Sequence, residues 1–103
     1  MLFVIKVGQL QNNIIDMDYL LLTNDLLKPT GKLYNLTDGA NFCRSLPITS
    51  WNINLSSLTN GSYMFCDCVL LTKVFTDFSE LRDGSYMFKN CTALKKVKNN
   101  TER

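Results

Sequence analysis

The apolar positions in the second half of the chain follow a period of three. They fall at Phe65, Cys68, Leu71 and Val74, and then at Phe78 and Leu81. This spacing is neither the broad stripe of an amphipathic helix nor the strict alternation of a half-buried strand. It predicts a short helical or 3₁₀ segment that leads into a short strand. Asx-Gly steps at residues 38–39, 60–61 and 83–84 predict the turns that close each unit.

The unit is used more than once. Residues 61–65 (GSYMF) recur unchanged as residues 84–88, 23 residues later. A unit of this size cannot bury its own apolar side, so it predicts a stack of coils. Each coil is expected to add one strand to a parallel sheet, with neighbouring strands about 4.8 Å apart.

The repeat predicts columns of equivalent side chains, provided that one residue is deleted between Gly39 and Phe42. The expected columns are Phe42, Phe65 and Phe88; Ser45, Cys68 and Cys91; Ile48, Leu71 and Leu94; and Trp51, Val74 and Val97. The first and third of these columns are expected to be interior ladders. A step back of 22 residues also places Leu20 under Phe42 and Leu36 under Leu58, which predicts a degraded coil upstream.

These patterns predict one domain over residues 1–103. Residues 1–16 form an N-terminal cap, in which residues 2–7 (LFVIKV) are a first strand that covers the edge of the stack. Residues 17–38 form the degenerate repeat, and residues 39–60, 61–83 and 84–103 are the three clear repeats.

Two segments carry a family resemblance, residues 64–74 (MFCDCVLLTKV) and residues 87–97 (MFKNCTALKKV). Their Met-Phe pair, followed at intervals of three by Cys, Leu and Val, resembles the BspA-like branch of the leucine-rich repeats over about residues 39–97. The resemblance implies a repeat solenoid of the α/β leucine-rich-repeat type, a right-handed parallel solenoid of about three turns of 22–23 residues. It also implies a non-enzymatic binding role, at a cell surface, in a secreted form or in a virion, although residues 1–7 lack the pattern of a signal peptide.

The composition of the chain limits the functions that it could have. The net charge of +2 does not by itself indicate nucleic acid, and no segment is long enough to span a membrane. The chain has no histidine, which removes Ser-His and Cys-His nucleophile activation. The glycines are isolated rather than grouped into a phosphate-binding loop. We therefore expect no enzyme activity and no cofactor.

The four cysteines allow three interpretations. In the first, Cys68 and Cys91 lie in an inward column and satisfy backbone groups at the turn, with Ser45 as their counterpart. In the second, these two cysteines form a disulfide, which the geometry of stacked ladders often prevents. In the third, Cys66-Asp67-Cys68 binds a metal, but a CxC pair without a second pair or a histidine is a weak zinc signal. The first is favoured, so no metal site is expected.

A candidate binding surface lies on the predicted sheet. If Val74 faces the core, period-two alternation turns its neighbours on both sides outward. The outward positions are Ser50, Asn52, Lys73, Phe75, Lys96 and Lys98. An aromatic flanked by lysines is a plausible anchor; alternatively, Phe75 folds against a loop or the N-terminal segment. The lysines crowded into the last turn either form a polar cap or face an anionic partner.

Two functions remain open. The first is an interaction or adhesion module that binds a protein or a glycan through the sheet surface. The second is a structural building block or cap in a larger assembly, such as a virion or surface complex. A short stack has two ends with unpaired strand groups. The sequence therefore also predicts a homo-oligomer or a larger complex, with the C-terminal coil near the contact.

Overall fold

A computed structural model describes residues 2–7, 18–23 and 29–99. These residues form two three-stranded sheets, one with the order β1-β2-β3 and the other with the order β4-β5-β6. The strands are β1 (Leu2–Val7), β2 (Asp18–Thr23), β3 (Thr30–Lys32), β4 (Ser50–Trp51), β5 (Lys73–Thr76) and β6 (Lys96–Asn99). The first sheet is antiparallel and the second is parallel.

The parallel sheet repeats at the predicted interval. Ser50 pairs with Lys73, which in turn pairs with Lys96, and Val74 pairs with Val97. A second line of parallel bridges joins Asp38 to Asn60 and Asn60 to Asp83, so residues 39–60, 61–83 and 84–99 lie as three successive layers, here called coils 1, 2 and 3. The predicted column of Trp51, Val74 and Val97 is confirmed by this register.

The segments expected to be helical or 3₁₀ are runs of turns, and the described ranges contain no helix. In these turns the backbone N–H groups alternate between two kinds of partner. The N–H of Cys43 donates to Met64 O of the next coil at 2.8 Å, and that of Phe65 donates to Met87 O at 2.9 Å. The intervening N–H of Cys66 instead donates three residues back, to Tyr63 O at 3.1 Å. Each run of turns is therefore hydrogen-bonded both internally and to its neighbouring coil.

These hydrogen bonds correct two predicted columns. Cys43 and Phe65 make equivalent bonds to the next coil, so Cys43, and not Phe42, is the counterpart of Phe65 and Phe88. The missing residue of coil 1 therefore lies after Leu46 and not between Gly39 and Phe42. Leu46 then falls in the column of Cys68 and Cys91, whereas Ser45 is exposed and is the counterpart of Asp67 and Asn90.

The backbone geometry shows the same offset. Among the described residues, six other than glycine have positive φ, in two equivalent series: Asn41, Tyr63 and Tyr86 at 62°, 59° and 56°, and Ser45, Asp67 and Asn90 at 65°, 66° and 63°. Asn and Asp tolerate this left-handed conformation, but in a tyrosine it costs about 1–2 kcal/mol. The Tyr63 N–H donates to Ser85 O of the next coil at 3.0 Å, and the carbonyls of Tyr63 and Tyr86 accept the N–H groups of Cys66 and Lys89 three residues on.

The repeated glycines serve a different purpose from the one their turn signals suggest. None of the described glycines has a positive φ. A Cβ on Gly39 would instead lie 2.8 Å from Leu58 Cδ1 and 3.2 Å from Met64 Sδ. A Cβ on Gly61 would lie 3.0 Å from Met87 Cε. These positions lack a side chain because Leu and Met side chains of the same or the next coil occupy the space.

The predicted upstream coil is only partly correct. Residues 33–38 do belong to the repeat, since the N–H groups of Thr59 and Asn60 both donate to Thr37 O. Residues 18–23 and 30–32, however, lie in the antiparallel sheet. Leu20 and Leu22 of β2 belong to the same buried cluster as Trp51, so this sheet closes the N-terminal side of the core. The rest of the expected cap, residue 1 and residues 8–16, lies outside the described residues.

Aromatic side chains run through the middle of the core. The ring of Trp51 meets that of Phe65 edge to face, with centroids 5.0 Å apart, and Phe65 stacks on Phe88 at 5.6 Å with an interplanar angle of 5°. Phe65 is completely buried, whereas Phe88 in the last coil is half-buried. The two residues have the same sequence context and differ in what covers them.

Truncation of each phenylalanine measures how much the burial of its ring contributes to the free energy of unfolding. We expect Phe65→Ala to lower the free energy of unfolding by about 3–5 kcal/mol, and Phe88→Ala to lower it clearly less, because Phe88 already contacts solvent. Denaturant unfolding of the two variants beside the wild type gives both values. Equal losses would contradict the placement of Phe88 at the open side of the stack.

Candidate binding surface

The register of the parallel sheet brings five of the predicted outward positions side by side, and the sixth, Asn52, directly follows β4. These six positions are here called the sheet face. Its residues are Ser50, Asn52, Lys73, Phe75, Lys96 and Lys98. Along β5 exposure alternates as expected: Val74 and Thr76 are buried, Lys73 is exposed and Phe75 is half-buried. The parallel register places Lys73 beside Lys96 and Phe75 beside Lys98.

Phe75 is the centre of this face. The Nζ atom of Lys96 lies 5.9 Å from the centroid of its ring, within the range of a cation–π contact. The half-buried ring therefore lies on the outward side of the sheet, beneath the lysines. This side combines an apolar centre with three ammonium groups, and the six residues of the sheet face include no acidic side chain.

The inward side of β5 is held by a buried hydroxyl. Thr76 Oγ1 donates to Ile53 O of coil 1 at 2.6 Å and accepts the N–H of Leu55 at 3.1 Å. Both polar contacts lie inside the core, where an unpaired hydroxyl would be costly. The pair of bonds fastens the end of β5 to coil 1 and keeps the outward side chains of the strand in register.

The cysteines of the inward column cap backbone carbonyls of the preceding coil. Cys68 Sγ lies 3.1 Å from Cys43 O, and Cys91 Sγ lies 3.0 Å from Phe65 O. The carbonyls belong to equivalent residues, so one thiol performs the same task in each coil. Ser45 does not share this task, because its column is that of Asp67. In the described part of the chain all four cysteines are free, and no cluster of three or more potential ligands could hold a metal ion.

Burial makes the thiols of Cys43, Cys68 and Cys91 poor nucleophiles. Desolvation raises the pKa of the Cys68 thiol to about 11 and raises the pKa values of Cys43 and Cys91 in the same direction. Because the thiolate is the reactive form, these side chains stay protonated and unreactive near neutral pH. The Cys66-Asp67-Cys68 segment, considered as a metal site in the sequence, is explained by core packing and turn geometry.

A second surface was missed by the sequence reasoning. Tyr63 and Tyr86 stack with ring centroids 5.1 Å apart, Arg44 lies over the Tyr63 ring at 5.1 Å, and Lys89 lies over the Tyr86 ring at 5.5 Å. We call these four residues the tyrosine ladder. The sequence signal for it is the shared repeat position of Tyr63 and Tyr86, whereas the shared position of Arg44 and Lys89 follows only from the corrected register of coil 1.

A polar chain runs beside the tyrosine ladder. Asp67 accepts a hydrogen bond from Asn90 Nδ2 at 2.8 Å and lies 3.6 Å from Arg44 Nε. The hydrogen bond from Asn90, with a smaller contribution from Arg44, lowers the pKa of the Asp67 carboxyl. Arg44 also donates to Asn41 Oδ1 at 2.9 Å. Arg44 and Asp67 are thus engaged across the coils, whereas the lysines of the sheet face have no acidic partner among the described residues.

Comparisons with known proteins leave the family open. No family model matches the chain, and the searches of curated proteins and of solved structures found no match to it. The resemblance to BspA-like leucine-rich repeats, and the right-handed α/β-type solenoid that it implies, therefore stay predictions. Within the described ranges, no helix is long and apolar enough to cross a membrane.

The thiol chemistry is testable by alkylation. We expect Cys43, Cys68 and Cys91 to react with iodoacetamide far more slowly in the folded chain than in denaturant at about pH 8, because burial raises the pKa of each thiol. For Cys68 the rate should rise as the pH approaches its pKa of about 11. Mass spectrometry with peptide mapping follows each site. Fast labelling of native Cys68 at neutral pH, or thiols that appear only after reduction, would contradict this assignment.

Proposed function

We propose that the chain is a non-enzymatic interaction or adhesion module that binds a protein or glycan partner through the sheet face. The observation that carries the proposal is the arrangement of Lys73, Lys96 and Lys98 around the half-buried Phe75. An apolar centre surrounded by polar and charged residues is the usual composition of a binding hot spot. The partner's contact area is expected to carry negative charge.

The backbone supports this use of the face. β5 lies between β4 and β6 and is paired on both edges, so its outward side chains stand on a strand that does not move independently. Inward-facing Val74 is completely buried and anchors the strand from below. A rigid strand presents side chains at low entropic cost, and this favours affinity.

The chemistry of the remaining polar groups gives no support to catalysis. Asp77, a carboxylate near the sheet, accepts the N–H of Ser79 at 2.8 Å, just as Asn54 accepts that of Ser56 at 2.7 Å in the preceding coil. An amide performs the same task as the carboxylate, so Asp77 acts in turn formation. The raised pKa values of Cys68 and Cys91 argue against a role for these two thiols as thiolate nucleophiles.

A structural role is the second candidate, and one observation favours it. Val97 is 45% exposed although its counterpart Val74 is completely buried, and Phe88 is more exposed than Phe65. Coil 3 therefore presents core-type side chains that another subunit could cover. Light scattering over a range of concentrations separates the two roles, since self-assembly favours a building block and a stable monomer favours a binding module.

Binding through the sheet face predicts a specific set of losses. Phe75→Ala combined with Lys96→Glu should weaken binding to an array of sulfated and carboxylated glycans by about tenfold or more, because the apolar centre and the charge are both lost. The melting temperature should change little, since both side chains lie on the outward side. Surface plasmon resonance with the best array ligand gives the affinity.

The matched control is Arg44→Glu together with Tyr63→Ala, which makes the same kind of change on the tyrosine ladder. We expect this control to leave glycan affinity within about twofold of the wild type. Equal loss of binding in both variants would contradict the assignment to the sheet face. A large fall in the melting temperature of the Phe75 variant would show that Phe75 acts in the core.

A further inference from the structure

The last described coil carries a row of unused backbone donors. In coil 1 the N–H groups of residues 41, 43 and 45 donate to coil 2, and in coil 2 those of residues 63, 65 and 67 donate to coil 3. The N–H groups of Gly39 and Gly61 donate to Asn60 O and Asp83 O, at the boundary with the next coil. Their counterparts in coil 3 make no such bond within the described structure. We call these four N–H groups, on Gly84, Tyr86, Phe88 and Asn90, the donor row.

The donor row is accessible and regular. Gly84, Tyr86 and Asn90 are exposed and Phe88 is half-buried. The intervening N–H groups of Met87, Lys89 and Cys91 already donate within the coil, at 3.1–3.2 Å. Unpaired donors therefore occur at every second residue, which is the pattern that a strand edge offers to an added segment of polypeptide.

Apolar side chains are open at the same end. Val97 is 45% exposed, Leu94 and Phe88 are partly exposed, and their counterparts Val74, Leu71 and Phe65 in coil 2 are completely buried. Coil 3 provides the cover for coil 2, and an occupant in the same relation to coil 3 would cover these residues. The donor row and this apolar surface fit the same occupant, a polypeptide segment that follows the path of a further coil.

The positive charge of coil 3 further limits which polypeptide segment could bind there. The exposed lysines of coil 3 are Lys89, Lys95, Lys96 and Lys98. Lysines on an edge disfavour partners of like charge and favour acidic ones. A segment with Asp or Glu at the positions facing these lysines would meet complementary charge along with its backbone contacts.

A second copy of the chain fits this end poorly. Two copies of coil 3 face to face would set donors against donors and lysines against lysines. In a head-to-tail arrangement, coil 3 would meet coil 1, where Lys89 falls opposite Arg44. The core side of coil 1 is also already covered, since Cys43, Ile48 and Trp51 are at most 1% exposed.

We propose that coil 3 is a docking site for an acidic segment of another polypeptide, which accepts hydrogen bonds from the donor row through its carbonyls and covers Phe88, Leu94 and Val97. This site differs from the sheet face, because it lies on the side of coil 3 that faces away from coil 2. The proposal does not depend on the sheet face binding a partner. The sheet face and the docking site share Lys96 and Lys98, so the test uses substitutions at Lys89 and Lys95, which belong only to the docking site.

The probe is a synthetic peptide whose sequence derives from the chain itself. Residues 83–99 supply the carbonyls that accept the bonds of coil 2, so a peptide of this sequence can offer the same acceptors to coil 3. In the probe, glutamate replaces the four lysines and Cys91→Ser prevents oxidation. The controls are the same peptide with its lysines retained and a scrambled peptide of the acidic composition.

Amide hydrogen exchange followed by NMR reads the contact directly. We expect the acidic probe to slow exchange at Tyr86, Phe88 and Asn90 by about tenfold or more, because their N–H groups gain acceptors. Exchange at Met87, Lys89 and Cys91 should change far less, since these are already hydrogen-bonded, so they serve as internal controls. Lys89→Glu with Lys95→Glu in the protein should weaken probe binding about tenfold at low salt.

Four results would overturn the proposal. One is slow exchange of the donor row in the free, dilute chain, which would show that the chain covers these groups itself. Another is protection that rises with protein concentration alone, which would identify a second copy as the occupant. Equal binding of the lysine or scrambled peptide would remove the acidic requirement. Protection confined to the sheet face would show that the probe binds there and not to the donor row of coil 3. Phe75→Ala should leave probe binding intact, which separates the failure of one proposal from that of the other.

Discussion

The alternation of backbone N–H groups between two kinds of acceptor is the constraint on which the parallel part of the structure depends. In a run of turns, one N–H bonds within its own coil and the next reaches the neighbouring coil. This arrangement satisfies backbone groups that would otherwise be buried without partners. It also requires a left-handed residue at two fixed places in each coil. Because one coil supplies the acceptors for another, the coils must remain in register.

Side-chain donors reinforce this register at several points. Thr59 and Thr72 cap carbonyls of the preceding coil at 3.1 and 2.9 Å, Thr76 does so in the core, and the thiols of Cys68 and Cys91 act in the same direction. Small donors suit this task because they reach a carbonyl one layer away without filling the core. Because the bonds all run in the same direction, coil 3 differs from coil 2. Its donor row has no acceptors among the described residues, and its apolar side chains are partly exposed.

Much of the parallel sheet could be predicted from the repeat. The identity of residues 61–65 and 84–88 predicts the stacking, and period-two alternation predicts that Val74 faces inward and Lys73 outward, as observed. The position of the missing residue in coil 1 could not be predicted, because Phe42 and Cys43 are both compatible with an apolar column. Only the hydrogen bonds distinguish the two choices, and they place Cys43 in the core.

The role of the glycines and the tyrosine ladder also depended on tertiary structure. An Asx-Gly step in a sequence suggests positive φ at the glycine, but here the glycines make room for Leu and Met side chains and the tyrosines take the left-handed conformation. The sequence likewise did not predict the antiparallel pairing of residues 18–23, because their apolar spacing resembles that of the repeat. The sequence by itself determined the period, the coil length and the outward lysines, because these follow from local pattern. Tertiary structure decided which residue fills each column and which groups remain unpaired, because those depend on the neighbouring coil.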